Sequence, residues 1–156
     1  MTVLVFGSTG QVATELRRQA PEAVFLGRDR ADLTDPAARA AAIRAANPTA
    51  VINAAAWTAV DRAETEEAAA QVVNGAAPGA MARACADLGV PLVQISTDYV
   101  FDGSGTAPHR PEDPVSPVNA YGRSKWAGEE AVRASGATHV ILRTSWGFSA
   151  HGANFG

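Results

Sequence analysis

The chain has 156 residues, of which 47% are hydrophobic and 19% charged, enough for one globular domain that buries most of its apolar surface. A formal net charge of −3 without a Lys/Arg cluster removes the electrostatic footprint of a nucleic-acid or anionic-membrane binder, and no apolar run approaches the length of a membrane span or signal core. A cytoplasmic location is the default expectation, and the single cysteine, Cys85, excludes an internal disulfide.

Short β-branched runs alternate with longer Ala-rich ones, the pattern of strand–helix–strand units around a parallel sheet. Val3–Phe6 reads as a strand and Gln11–Gln19 as its helix; Val24–Leu26 is a second strand, and Pro36–Ala46 a helix with Asp35 as cap and Pro at its first turn. Ala50–Asn53 makes a third strand. Asp61–Val73 and Ala80–Leu88 read as helix bent near Pro78 and ended by Gly89, and Leu92–Ser96 as a fourth strand. From Asp98 to Asn119 runs a Pro- and Gly-containing loop too long for an ordinary connection, which suggests function. Tyr121–Ala134 is then a helix, with Asn119 as cap or turn residue, and Val140–Arg143 a last strand. The expected fold is α/β, a Rossmann-like doubly wound parallel sheet in the order 3-2-1-4-5-6. DRAETEEAAA reads as an exposed acidic helix face, and Cys85 as a buried small hydrophobe.

Three stretches carry chemistry. GSTGQVA follows the first strand directly: Gly7 permits the tight turn, Gly10 admits a diphosphate to the backbone, and Ala13 lets the helix pack, while the helix N-terminus offers free N–H groups. After the second strand, LGRDRADLT gives a mixed cue. Arg28 favours the 2′-phosphate of NADPH, whereas an acidic residue at this place would favour NADH. In NAYGRSKWAGEE, Tyr121 and Lys125 stand four residues apart on one helix face, where an ammonium is expected to lower the pKa of the phenol.

With GSTGQVA, INAAAWTAVDRAE, ISTDYVFDG, PVNAYGRSKWAGE and LRTSW, the sequence resembles the extended short-chain dehydrogenase/reductases, and among them the dTDP-4-dehydrorhamnose reductase group, over nearly its whole length. The resemblance implies NAD(P)H-dependent reduction of the 4-keto group of dTDP-4-dehydro-L-rhamnose. Tyr121 would protonate the keto oxygen, Lys125 would hold the nicotinamide ribose, and Thr97 would hydrogen-bond the reacting oxygen. Gly7, Thr9, Gly10, Gln11 and Val12 would face the diphosphate, Asp32 and Leu33 the adenine, and Ala54, Ala55, Ala56 and Thr58 would line the groove after the third strand. Asp98, Tyr99 and Trp146 would lie close to the sugar, although Tyr99 also reads as a buried aromatic. The implied partners are a nucleotide sugar and a second copy of the chain. No metal ligand set stands out, and magnesium enters by resemblance only, with Asp98, Asp102, Glu112 and Asp113 as carboxylates without a selecting pattern. The resembled chains continue into a substrate lobe, so residues 1–156 are expected to be an NAD(P)-binding domain lacking that lobe, with little turnover of their own. Another nucleotide-sugar reductase or epimerase, and a non-catalytic dinucleotide-binding subunit, are the alternatives.

Overall fold

In the computed structural model, which describes residues 2–32 and 34–151, five parallel strands form one sheet. They are β1 (Val3–Phe6), β2 (Val24–Leu26), β3 (Ala50–Asn53), β4 (Leu92–Thr97) and β5 (His139–Thr144). The helices are α1 (Gln11–Gln19), α2 (Pro36–Ala46), α3 (Val60–Ala63), α4 (Glu67–Gln71), α5 (Ala77–Leu88) and α6 (Ala120–Arg133). The doubly wound α/β expectation therefore holds, but the strand order does not. The order is β2-β1-β3-β4-β5. The strand after α2 does not extend the sheet beyond β2 but returns to pair Val3 with Ala50 and Phe6 with Asn53, so that β1 is covered on both sides and β2 is left at the edge. The winding reverses between β1 and β3.

Right-handed crossovers put α1 on one face and α2, α5 and α6 on the other, where α2 packs on α5 and α5 on α6. Beneath them Phe6, Leu4, Ile43, Met81, Leu92 and Val132 are almost wholly buried, each such side chain contributing roughly 1.5–3 kcal/mol against exposure. Cys85 belongs to this core, and burial pushes its thiol up to about 11. Central β1 is buried nearly throughout, whereas in β5 Val140 and Leu142 point to solvent at the sheet edge.

Local chemistry sets the element ends. Asp35 Oδ1 accepts from Ala38 N at 2.9 Å, with Pro36 opening α2. Asn119 Oδ1 accepts from Gly122 N at 2.7 Å, which makes it the cap of α6. Gly89 ends α5 in the left-handed region, at φ 66°. Between α4 and α5 the helix widens into a π turn over Val72–Ala76, with Ala77 N–H reaching back to the Val72 carbonyl. Pro78, just downstream, has no N–H for the Asn74 carbonyl, so the distortion falls a turn earlier than the bend expected at the proline. The helix expected from Asp61 is also interrupted, between Ala63 and Glu67. Nor is its acidic face merely solvated: Glu64 Oε1 accepts from Ala120 N at 2.7 Å, and Glu67 pairs with Arg123 at 2.9 Å, so two carboxylates tether the start of α6.

Candidate active site

The turn after β1 is tied to both neighbouring strands, through Gly7 N to the Leu26 carbonyl and Ala54 N to the Phe6 carbonyl, each 2.9 Å. Gly7 adopts φ 114°, and a methyl there would lie 3.3 Å from the Ala54 backbone, so the position requires glycine twice over. Gly10 caps α1 without a side-chain hydrogen bond and has open space in front of it. The helix N-terminus thus presents backbone donors to a groove with room for an anion.

That groove is continuous. One part, about 320 Å³, runs from Arg28 and Gly27 past Gly7, Thr9 and Gly10 to Ala54, Ala55, Ala56 and Thr58. The other, about 390 Å³, shares Thr9, Gly10, the three alanines and Thr58, adds Gln11 and Val12, and ends at Tyr121 and Lys125. The path therefore joins the glycine turn to the Tyr/Lys pair across the C-terminal ends of β1, β3 and β4, at the reversal of winding. Asp32 is not brought into it. Its carboxylate closes a local turn, accepting from Thr34 N at 2.8 Å and Thr34 Oγ1 at 2.9 Å, and these bonds hold its pKa below the ordinary value. Leu33 lies outside the described residues.

Beside Tyr121 a smaller hollow of about 210 Å³ is lined by Thr97, Asp98, Tyr99, Ser145 and Trp146. Thr97 Oγ1 donates to Asp98 Oδ1 at 3.2 Å and accepts from Tyr99 N at the same distance, while Ser145 Oγ donates to Asp98 Oδ2 at 2.7 Å. Tyr99 is not buried: it sits on a short 3₁₀ turn past the sheet, 40% exposed, with its ring 5.5 Å from Tyr121 in an edge-on contact. A larger cavity, about 780 Å³, lies between β5 and the loop carrying Phe101, His109 and Pro111, and adjoins the hollow at Asp98, Thr144 and Ser145.

The two proton-handling groups are perturbed differently. Lys125, only 4% exposed, donates from Nζ to the Ile95 carbonyl at 2.7 Å; burial pushes its pKa down to about 8, against an opposing pull from Glu129. It is the only lysine in the sequence. Tyr121 departs from the expected lowering. Burial raises its pKa, Asp98 and Tyr99 add to the rise, and the hydrogen-bonding Thr97 side chain opposes it without prevailing. A phenol held this way stays protonated at neutral pH, the state required of a proton donor.

Several supporting residues carry no motif signal. Asn74, 2% exposed, accepts from Trp57 N at 2.9 Å and donates to the Trp57 carbonyl at 3.1 Å and to Ser124 Oγ at 3.0 Å, pinning the alanine segment to α6. Asn53 Nδ2 donates to Gln94 Oε1 at 2.8 Å across β3 and β4. Only a polar residue in an otherwise apolar strand or helix flags these positions. Among the described residues, no three His, Cys, Asp or Glu side chains gather as a metal cage, and no helix is long and apolar enough to cross a membrane.

The family model described as the RmlD substrate binding domain matches residues 1–156. The chain belongs to that family. A dTDP-4-dehydrorhamnose reductase of Burkholderia thailandensis is 49% identical over 158 aligned residues, covering 99% of this chain and 53% of the relative. The crystal structure of a dTDP-4-dehydrorhamnose reductase from Clostridium acetobutylicum superposes with a TM-score of 0.94 at 36% identity, covering 99% of this chain and 56% of that one. A Bacillus anthracis dTDP-4-dehydrorhamnose reductase, solved in complex with NADP, gives a TM-score of 0.87 at 33% identity, with 99% and 56% covered. The chain thus spans about half the length of the family members it matches.

Proposed function

We propose that residues 1–156 form the NAD(P)-binding domain of a reductase acting on the 4-keto group of dTDP-4-dehydro-L-rhamnose. One observation carries the reading: the glycine turn and the Tyr121/Lys125 pair open into a single cleft, in which a dinucleotide would lie with its diphosphate at α1 and its far ribose at Lys125.

NADPH, when bound, supplies the hydride. The residues of the chain do the rest. The N-terminus of α1 and the Gly7–Gly10 turn hold the diphosphate, and the three alanines leave room for a ribose. Lys125 turns from the Ile95 carbonyl to the ribose hydroxyls. As hydride reaches the keto carbon, Tyr121 gives its phenolic proton to the keto oxygen, so carbonyl becomes hydroxyl. Thr97, at the end of β4, turns its hydroxyl from Asp98 to donate to the same oxygen and spreads its developing charge, while Asp98, Tyr99 and Trp146 border the space for the sugar. Arg28, at the opposite end of the cleft, offers a guanidinium to a 2′-phosphate and favours NADPH over NADH.

Titration of the chain with NADPH and NADH tests the cofactor half of the reading, and absence of binding by either would remove it. The substrate half is tested in a chimera in which the C-terminal half of the Burkholderia thailandensis relative follows residue 156. Turnover of dTDP-4-dehydro-L-rhamnose supports it. Binding of NADPH with turnover only of a different nucleotide sugar would replace the substrate and keep the chemistry.

A further inference from the structure

Glu129 is the one carboxylate among the described residues that is fully withdrawn from solvent. It lies one helical turn after Lys125 and on the far side of it from the cleft. Three groups converge on it: Ser96 Oγ at 2.6 Å from β4, Arg143 from β5 through Nε at 3.0 Å and Nη2 at 2.8 Å, and Arg133 from α6 at 2.8 Å. Burial pushes its carboxyl up, but the hydrogen bonds from Arg143, Ser96 and Arg133 outweigh that effect, so it is ionised.

Two features give this arrangement a consequence for the cleft. First, α6 grips consecutive residues of β4 from consecutive turns: Lys125 holds the Ile95 carbonyl, and Glu129 holds the Ser96 hydroxyl. Thr97 comes next, so the grip fixes the height of Thr97 relative to Tyr121. Second, Lys125 is an ammonium almost without solvent, and Glu129 is the carboxylate that favours its charge. The two arginines share that carboxylate and temper its pull.

We propose that Glu129 is a positioning residue of the reducing site, which locks β4 to α6 at Ser96 and supplies from behind the negative charge that keeps Lys125 protonated in the cleft. The inference rests on the reductase reading only for what Lys125 does once charged. Its control of Lys125 belongs to the chain itself.

Because Lys125 is the only lysine, a chain grown with side-chain-labelled lysine gives a single ammonium signal by NMR, and its titration can be followed directly. The other charged groups around Glu129 are Arg133 on α6 and Arg143 on β5, with Asp98, His109 and Arg110 across the cavity into which those arginines open. Glu129→Gln is expected to move the Lys125 midpoint down by about one pH unit, and to weaken NADPH binding about threefold at a pH halfway between the two midpoints. Arg133→Gln, which frees the carboxylate of one competitor, is expected to move the midpoint up. A Lys125 midpoint unchanged in Glu129→Gln overturns the proposal, whatever happens to the melting temperature. Should that variant fail to fold, Arg133→Gln decides, since its side chain is 42% exposed and an unchanged midpoint there overturns the proposal equally. A chain that binds no NADPH while its midpoints shift as expected would sink the reductase reading and leave the control of Lys125 by Glu129 standing.

Discussion

The Asn74 carbonyl oxygen occupies the space that a side chain at Gly128 would fill. This carbonyl comes from the π turn ahead of Pro78, and α6 can approach it only because Gly128 has no Cβ. Gly128→Ala would have to push α6 off the widened helix, moving Lys125 and Glu129 with it. We expect a loss of about 1–3 kcal/mol in denaturant unfolding, as for other overpacked interiors. A variant as stable as the parent would show that the two helices separate freely.

The buried ammonium of Lys125 is a liability for folding. Its folded pKa of about 8 lies below its ordinary value, so below that pH the native state holds an unfavourable charge that the unfolded chain solvates. Above it the native state releases the proton while the unfolded chain keeps it to about pH 10.5, so this residue makes stability rise with pH across that window. Lys125→Met should therefore be more stable than the parent at pH 7, on the order of 3 kcal/mol, with the gap closing towards pH 10. Denaturant melts at the two pH values measure it. The same variant should lose NADPH affinity.

Tyr121→Phe keeps the edge-on contact with Tyr99 and removes the hydroxyl that carries the proton. In the chimera, turnover should fall roughly 10²- to 10⁴-fold while NADPH affinity measured by titration stays within a few-fold. Turnover close to the parent would take Tyr121 out of its role as acid.

Arg28→Ala removes the guanidinium at the adenosine end of the cleft. NADPH should bind about tenfold more weakly and NADH about as before, because only one of them carries the phosphate. An equal loss for both would place the 2′-phosphate elsewhere.

Gly7→Ala places a side chain at φ 114° and against the Ala54 backbone. A stability loss of about 1–3 kcal/mol is expected, together with weaker NADPH binding, since the turn that positions the α1 donors has to shift. Calorimetry with and without cofactor separates the two effects.

Much of this fold is legible along the chain because its signals are local. The first three strands, α1 and α2 begin and end where alternation, Asp35, Pro36 and the glycine turn place them. What escapes is non-local. Nothing near Ala50 says that its strand will lie against β1, since strand order is decided by which edges remain to be paired. The i, i+4 spacing puts Tyr121 and Lys125 into one cleft but does not reveal that Lys125 turns its amine to a strand carbonyl, nor that burial outweighs the Thr97 hydrogen bond at the phenol, with Asp98 and Tyr99 on the side of burial. Nor does the sequence show that Thr34, two residues on, ties up one oxygen of the Asp32 carboxylate. Glu64 and Glu67 read as solvent-facing until the start of α6 is folded against them.

All strands of the sheet run the same way, so its two rims have different duties. At the rim where strands begin, Thr49 N and Leu92 N reach the Thr2 and Thr138 carbonyls, contacts that knit the architecture and touch none of the reactive groups. Everything assigned to cofactor or sugar sits at the other rim. Sequence drift or deliberate diversification along the starting rim is thereby uncoupled from turnover, and ruggedness and chemistry can be selected in this scaffold one at a time.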